Sequence, residues 1–301
     1  MMNAQELQES LQTHPRYLHS VGVMTMALEL NELHHLNVPI NDIKLAALLH
    51  DIAKPYDHKK AQQMLEQTYA GHMPKEEYLA ILNIPAIWHA YIGAALAGSE
   101  YGIQDITILN AIKYHTTGRP QMTDLEKLIF LSDFVEKGRI GKHFEEVREI
   151  AYQDLNRALV KMFENEFSYL KENNQQVCPL GLKAYQYYKG ERMVKDLIKI
   201  LDKAVVNDIV VYDTTLYTPY YDYVIIGSVN TARQGNAAVG YLRKEVPTLG
   251  LDVRSFTSGN DATWFLIDIN NVVVHIFVQE ERKRYNLDGM YEQLSSVKVV
   301  K

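Results

Sequence analysis

Three side chains that can do chemistry together lie in the stretch 41–55, N-D-I-K-L-A-A-L-L-H-D-I-A-K-P. His50 and Asp51 are adjacent, and Lys54 follows one helical turn after His50. The rest of the stretch is apolar at helical spacing, so these groups end a stripe that faces a core. Burying them without partners would cost several kcal/mol. A metal ion is the simplest partner of an imidazole and a carboxylate, and Lys54 is then placed to meet an anion bound there.

Four more side chains of these types stand on predicted helices that are otherwise apolar: His19, His89, His115 and Asp133. A single histidine on an apolar face is usually a packed core residue. Six good ligands on five separate helices are better explained by one shared site. The set contains no thiolate, which disfavours a closed structural zinc site and suits iron or manganese. Six ligands are enough for two ions, which together can activate water and stabilise an in-line displacement at phosphorus.

The elements that must position these residues are helices, because Leu and Ala recur at three-and-four spacing up to about residue 188. A capping box at Thr123–Glu126 starts the helix that carries Asp133, and 144–172 is predicted to be one long amphipathic helix. After Gly190 the sequence pattern changes to short runs of Val, Ile and Tyr. Of the 11 histidines, 10 precede this point. We therefore predict two domains: an all-α domain over 1–190 and an α/β domain with a mixed sheet over 191–301.

Composition excludes several classes of function. The 301 residues suggest about two domains, and a net charge of −6 disfavours direct DNA binding by bulk electrostatics. Cys178 is the single cysteine, so an internal disulfide cannot form. The N-terminus lacks a signal pattern, and no apolar run approaches the ~20 residues that span a bilayer. We expect a cytoplasmic protein without a membrane partner.

The first region is similar to the HD superfamily of metal-dependent phosphohydrolases, on the order His19, His50–Asp51 and Asp133. Five longer strings resemble the YqeK-type branch, the symmetrical bis(5′-nucleosyl)-tetraphosphatases, which cut diadenosine tetraphosphate into two ADP. The strings are RYLH at 16–19, HDIAK at 50–54, WHAYIGA at 88–94, YHTTGRP at 114–120 and LSDFVE at 131–136. The similarity covers about residues 1–188 and implies an HD-domain helical bundle.

The resemblance also implies roles for individual residues. It implies that one iron is held by His19, His50, Asp51 and Asp133, and that Asp51 bridges to a second iron held also by His89 and His115. A bridging water or hydroxide would be the nucleophile, and Lys54 and Arg119 would neutralise phosphate oxygens. The residues alone leave alternatives open, because Lys54 could satisfy a helix C-terminus and Arg119 could be a solvated loop residue. Arg16 could touch phosphate or lie on the surface, and Lys137 stands where the family usually has proline.

The second region shows no catalytic constellation, since it has one histidine, no cysteine and no Gly-rich phosphate loop. We expect His275 to be structural, and exposed Trp or Tyr would be typical of a protein-binding surface. The region resembles the ribosomal silencing factor family (RsfS, Iojap-like) over about 193–296. The strings are YVIIG at 223–227, ARQ at 232–234, WFLID at 264–268, VVVHIF at 272–277 and RYNLD at 284–288.

That second resemblance implies docking on the large ribosomal subunit, on the protein at its subunit-joining face, which blocks association with the small subunit. The family usually has Ser-Arg-His where this chain has Ala232-Arg233-Gln234.

Three alternatives stay open. The first domain could hydrolyse another nucleotide, such as a deoxynucleotide or an alarmone, or it could be a nucleotide sensor without turnover. The α/β pattern of the second domain also occurs in nucleotidyltransferases, although the acidic metal triad of those enzymes is absent from this sequence. The sequence leaves open whether the chain forms a homodimer.

Overall fold

The structure of the protein is a computed structural model that describes residues 4–215, 217–294 and 298–300. The chain divides into two compact units, 1–188 and 189–301, so the division falls two residues before the predicted boundary. The predicted fold class, an all-α unit followed by an α/β unit with a mixed sheet, is confirmed.

The first unit is built from helices that pack around one continuous apolar core. Helix α2 packs against α3 and α8, and α7 packs against α3, α6 and α8; these five helices are the ones predicted to carry or precede the ligands. The helices are α1 Ala4–Ser10, α2 Tyr17–Leu33, α3 Ile40–Leu49, α4 His58–Tyr69, α5 Lys75–Leu82, a 3-10 turn Pro85–Ile87, α6 Trp88–Ser99, α7 Ile106–Lys113, α8 Asp124–Val135, α9 Lys142–Ala151, α10 Leu155–Glu172 and α11 Pro179–Lys203, whose span contains the division.

Two helix bounds differ from the prediction. Helix α3 ends at Leu49, so Asp51 lies in the turn that follows rather than on the helix. The predicted helix over 144–172 is two helices, α9 and α10, which pack against each other. Asp154 causes the break, because its side chain accepts a hydrogen bond from the backbone N–H of Arg157 and caps α10. The capping box predicted for α8 is present.

The second unit is a six-stranded sheet with the order β3-β4-β5-β2-β1-β6. Strands β2 and β5 run parallel and every other neighbouring pair is antiparallel. Asn270 and Asn271 form a tight connection between β4 and β5, with Asn270 at φ +49°. The elements are β1 Asn207–Asp213, β2 Tyr223–Val229, α12 Ala232–Glu245, a 3-10 turn Val246–Leu249, β3 Val253–Phe256, β4 Trp264–Ile269, β5 Val272–Val278, α13 Gln279–Tyr285, α14 Leu287–Glu292 and β6 Lys298–Val300.

Both faces of this sheet are covered, because alternate residues of each strand point to opposite sides. Phe265, Ile267 and other residues of one face pack with α12 and with the part of α11 after residue 192. On the opposite face Tyr212 stacks on Tyr291 of α14, with ring centroids 5.2 Å apart. At Gly235 a Cβ would lie 2.0 Å from the Phe265 ring, so this position of α12 requires glycine for close packing.

The residues that depart from the family pattern lie at the start of α12. The Gln234 side chain accepts from the backbone N–H of Thr231, whose hydroxyl oxygen accepts from the Gln234 N–H. This is a complete capping box. The residue that replaces the family's histidine therefore satisfies the helix start locally.

Within the described residues, no single helix is long and apolar enough to cross a membrane. Only the pair Lys75–Leu82 and Pro85–Ser99, bent by 97°, reaches that length and composition together.

Candidate metal centre

The six predicted ligands converge on one site in the first unit. They form three overlapping triads, and within each triad the ligand atoms all lie within 4.8 Å of one another. Among the described residues all such triads lie in this unit. The ligands sit near helix ends: His19 on the first turn of α2, His50 and Asp51 just after α3, His89 at the start of α6, His115 just after α7 and Asp133 near the end of α8.

The carboxylate of Asp51 lies at the centre and divides the cluster into two halves. Its Oδ2 is 3.9 Å from Nε2 of His19 and 3.7 Å from Nε2 of His50. Its Oδ1 is 3.3 Å from Nε2 of His89 and 3.5 Å from Nε2 of His115. Each oxygen therefore faces a different pair of imidazoles, which is the arrangement that a bridging carboxylate needs between two ions.

Hydrogen bonds behind the imidazoles fix their tautomers. Nδ1 of His50 lies 2.7 Å from the carbonyl oxygen of Ala47, and Nδ1 of His115 lies 2.7 Å from that of Ile112. Carbonyl oxygens only accept, so each Nδ1 carries the proton and each Nε2 presents a lone pair to the cluster.

The inward-facing atoms fit a cation. Nε2 of His50 is 3.3 Å from Nε2 of His19, and Nε2 of His89 is 3.2 Å from Nε2 of His115. Asp133 adds an oxygen 2.9 Å from Nε2 of His19. Lone pairs and carboxylate oxygens that converge at such distances suit metal ions as shared partners, and an imidazole–carboxylate set suits iron or manganese.

The electrostatics keep this set in its ligating form. Burial lowers the pKa of His50 and of His89 to about 4 each, so both imidazoles are neutral at pH 7. For Asp51, burial acts to raise the pKa, but the close imidazoles of His115 and His89 lower it more strongly, and the net pKa is well below its usual range. Burial also acts to raise the pKa of Asp133, but the contact with His19 and the nearby His50, His115 and Arg139 together outweigh it, so the pKa is lowered.

Three cations border the cluster. Arg16 donates from Nε to Oδ2 of Asp51 at 2.8 Å, and Arg139 donates from Nη2 to Oδ1 of Asp133 at 2.8 Å. The Arg139 Nε is buried and has no hydrogen-bond partner among the described residues. Lys54 is exposed as a residue, yet its ammonium lies 3.3 Å from Nε2 of His89 and its pKa is lowered by burial. The site thus presents positive groups where an anion would enter.

Arg119 is paired with Glu126. Its Nε and Nη2 donate to the two oxygens of Glu126 at 3.0 and 2.9 Å. Glu126 is 1% exposed and also accepts from the backbone N–H of Thr123. The phosphate role of Arg119 stays a prediction, and in the structure its guanidinium is engaged in a buried ion pair.

Sequence reasoning did not assign Glu136, which orients His19. Oε1 of Glu136 lies 3.4 Å from Nδ1 of His19, a carboxylate–imidazole contact that holds the outer nitrogen protonated. A Cβ at Gly22 or at Gly138 would lie 2.7 or 2.8 Å from the Glu136 carboxylate, so both glycines make room for it. The available signal was the spacing of Glu136, which follows Asp133 by three residues and lies directly after the end of α8.

In the second unit the distinctive feature is an aromatic cluster rather than a ligand set. Trp264 stacks on Phe277 with ring centroids 5.1 Å apart and lies 4.7 Å from the ring of Tyr285, which is 47% exposed. Trp264 Nε1 donates to Nδ1 of His275 at 3.1 Å. His275 is therefore packed and neutral, and the exposed part of the cluster is Tyr285 with one side of Trp264.

Comparison with known proteins agrees with this division. The HD domain model matches residues 16–138, and the model described as ribosomal silencing factor during starvation (RsfS) matches residues 189–301. The symmetrical bis(5′-nucleosyl)-tetraphosphatase of Bacillus subtilis is 38% identical over 176 residues, covering 58% of this chain and 90% of that relative. The ribosomal silencing factor RsfS of Halalkalibacterium halodurans is 31% identical over 78 residues, covering 26% of this chain and 67% of that relative.

A solved structure gives the same result for the first unit. It is a crystal structure from Clostridium acetobutylicum, described as a predicted HD superfamily hydrolase involved in NAD metabolism. The TM-score is 0.56 at 30% sequence identity, and the match covers 64% of this chain and 99% of that one.

The helical bundle and its imidazole–carboxylate cluster define an HD-domain hydrolase, here joined to an α/β domain of the RsfS type. The chain belongs to the symmetrical bis(5′-nucleosyl)-tetraphosphatase family in its first unit and to the ribosomal silencing factor family in its second. Both predicted resemblances are confirmed.

Proposed function

We propose that the first unit hydrolyses diadenosine tetraphosphate to two ADP with two divalent ions. Family membership supports the substrate class. The observation that carries the proposal is the carboxylate of Asp51, whose two oxygens face two separate pairs of imidazoles.

The two oxygens of Asp51 would divide the ligands into two sets, one for each ion. His19, His50, Asp51 and Asp133 would hold one ion, and Asp51 with His89 and His115 would hold the other. Iron is favoured and manganese is the alternative. When bound, two such ions supply an activated water and stabilise charge on a transferring phosphoryl group.

The chain's own cations would bind and orient the polyphosphate. Lys54, Arg16 and Arg139 border the cluster, and the partnerless Nε–H of Arg139 is a donor available to a phosphate oxygen. These groups would hold the negative charge that develops at the cleaved bond. Arg119, which was predicted to bind phosphate, is not assigned a role in this proposal, because it would have to leave Glu126 to act so.

Product analysis tests the reaction. Metal-loaded protein given diadenosine tetraphosphate should yield ADP alone, whereas ATP with AMP would show asymmetric cleavage. Binding without ADP formation would favour a nucleotide sensor. The same assay should include a deoxynucleotide and an alarmone as substrates. Faster turnover of either one would favour that alternative substrate.

Elemental analysis tests the centre. Wild-type protein should hold about two ions per chain, and His50→Ala should hold fewer and lose ADP formation. The matched control is His72→Ala, because His72 is exposed and lies outside the cluster. Equal metal content in wild type and His50→Ala would contradict the proposed centre.

For the second unit we infer docking on a protein of the large ribosomal subunit at its subunit-joining face, with a block of subunit association. Family membership supports this partner, and the exposed side of Trp264 and Tyr285 offers an aromatic contact surface. Co-sedimentation with large subunits should be weakened by Tyr285→Ala and unaffected by Tyr220→Ala, since Tyr220 is exposed elsewhere in the unit. Unimpaired joining of purified subunits at saturating protein would contradict the silencing role.

A further inference from the structure

The segment that joins α8 to α9 carries two groups that contact the metal centre. Glu136 orients His19, and Arg139 donates to Asp133. The one aliphatic side chain of this segment, Ile140, is 84% exposed and does not anchor the segment in the core. Fixing the backbone of each residue in such a segment costs about 1–2 kcal/mol of conformational entropy. Polar contacts must therefore hold the segment in the conformation that places Glu136 and Arg139.

Arg148 of α9 supplies such contacts. Its Nε donates to the backbone oxygen of Val135 at 2.6 Å, and its Nη2 donates to the backbone oxygens of Glu136 at 3.0 Å and Arg139 at 2.9 Å. Val135 and Glu136 end α8, where backbone carbonyl groups lack partners within the helix and a cation is favourable. One guanidinium therefore joins the end of α8 to the backbone of Arg139.

The helix that presents Arg148 is itself fixed in the core. Helix α9 packs against α8 and α10, and its residues Val147 and Ala151 are fully buried. Arg148 is half-buried, and a guanidinium carries its donors in a rigid planar fork. Because both the helix and the fork are rigid, the three carbonyl groups are held in fixed positions relative to the core of the first unit.

The guanidinium of Arg139 is the group that benefits from this anchoring. Its Nη2 donates to Oδ1 of Asp133 at 2.8 Å, and its central carbon lies 5.7 Å from the ring centroid of Phe144. Its Nε is buried and has no hydrogen-bond partner among the described residues. A buried donor without a partner costs about 1–3 kcal/mol, so an unrestrained Arg139 would turn this donor toward water. A fixed backbone opposes that rotation and keeps the donor ready for an anion at the centre.

We propose that Arg148 is a positioning residue, which holds Arg139 so that the Nε–H of Arg139 donates to a phosphate oxygen of the substrate. The proposal rests on the proposed function, because it assigns the anion at this Nε to the polyphosphate. Arg148 acts through backbone carbonyl groups and needs no contact with the substrate. Its effect on anion binding should therefore disappear when the Arg139 guanidinium is absent, which a role in stability or in overall charge does not predict.

A double-mutant cycle with inorganic pyrophosphate tests this coupling without turnover. Titration calorimetry of metal-loaded protein should show binding about 10-fold weaker in Arg148→Met and about 10-fold or more weaker in Arg139→Met. The variant with both substitutions should bind within about 2-fold of Arg139→Met alone, because the two residues act as one unit. Arg157→Met is the matched control, since Arg157 is an exposed arginine of α10, and it should bind pyrophosphate like wild type.

Two further variants keep the cycle decisive. Arg148→Gln retains an amide donor for the carbonyl groups at the end of α8, so it supplies the same cycle where Arg148→Met does not fold. In a Glu136→Gln background at saturating metal, Arg148→Met should still weaken pyrophosphate binding about 10-fold. This second background separates an effect through Arg139 from an effect through the orientation of His19.

Equal effects of Arg148→Met with and without the Arg139 guanidinium would overturn the proposal. Unchanged pyrophosphate affinity in Arg148→Met, absence of pyrophosphate binding by wild type, or an effect that disappears in Glu136→Gln would overturn it as well. Failure of the proposed function appears separately, as absence of ADP formation from diadenosine tetraphosphate while the coupling between Arg148 and Arg139 is retained.

Discussion

Replacing Arg119 by methionine should destabilise the first unit and should have little effect on the rate of catalysis. The guanidinium donates to both oxygens of Glu126, whose side chain is 1% exposed. Removing one partner of a buried ion pair costs about 3–5 kcal/mol. Because the Arg119 side chain is 28% exposed, water reduces the cost, and we expect a loss of about 2–3 kcal/mol. For a unit of this size the melting temperature should fall by about 8 °C.

Calorimetry of three variants separates the causes. Arg119→Met should show the loss, and Arg157→Met, at an exposed arginine, should melt within about 1 °C of wild type. The double variant Arg119→Met with Glu126→Gln should regain part of the lost stability, because it leaves no buried unpaired charge.

Kinetics at a temperature below all of these transitions then tests the role in catalysis. With Arg119 held by Glu126, the Arg119→Met variant should form ADP within about 3-fold of the wild-type rate. A variant that melts like wild type but forms ADP about 100-fold more slowly would refute this reasoning and place Arg119 on phosphate.

Three further predictions concern other parts of the chain. Glu136→Gln should weaken metal affinity about 10-fold or more by freeing His19, which chelator competition measures. In a urea titration, Gly235→Ala should destabilise the second unit by about 2 kcal/mol or more, because its Cβ would overlap an aromatic ring. Gly240 has open space around it, so Gly240→Ala should be neutral or stabilising in that titration. Burial lowers the pKa of His275 to about 4, so the unfolded chain protonates this imidazole more readily than the folded chain does. The free energy of unfolding should therefore fall by up to about 3 kcal/mol as pH drops from about 6.5 to about 4. Urea unfolding at a series of pH values measures this loss.

Each of these has a contrary result. Unchanged chelator competition in Glu136→Gln would mean that His19 is oriented by other contacts. Equal effects of the two glycine variants would contradict the packing described around α12. A His275→Gln variant with the wild-type pH profile would assign the acid sensitivity to other groups.

Helical spacing and side-chain chemistry were enough to predict that six imidazole and carboxylate side chains come together at one place. Each of these residues lies on or next to an apolar helix. Its polar side chain therefore faces the core, where a metal ion is the simplest partner. The two-unit architecture followed in the same way from a change in the spacing of apolar residues near Gly190.

Contacts between distant segments could not be obtained from spacing. Glu136 reaches an imidazole 117 residues away, and no local pattern encodes that distance. The ion pair of Arg119 was not predicted, because the capping box of α8 already accounted for a glutamate at position 126. The break at Asp154 was missed because the amphipathic pattern continues through it, although the capping residue was present.

In the proposed centre, the divided carboxylate of Asp51 also sets how independent the two ions are. Replacing His89 or His115 would remove a ligand from one half alone and would leave His19 and His50 facing each other. Replacing Asp51 would remove an oxygen from both halves at once. One ion could therefore be lost separately through a histidine of its own half, whereas the loss of Asp51 would affect both.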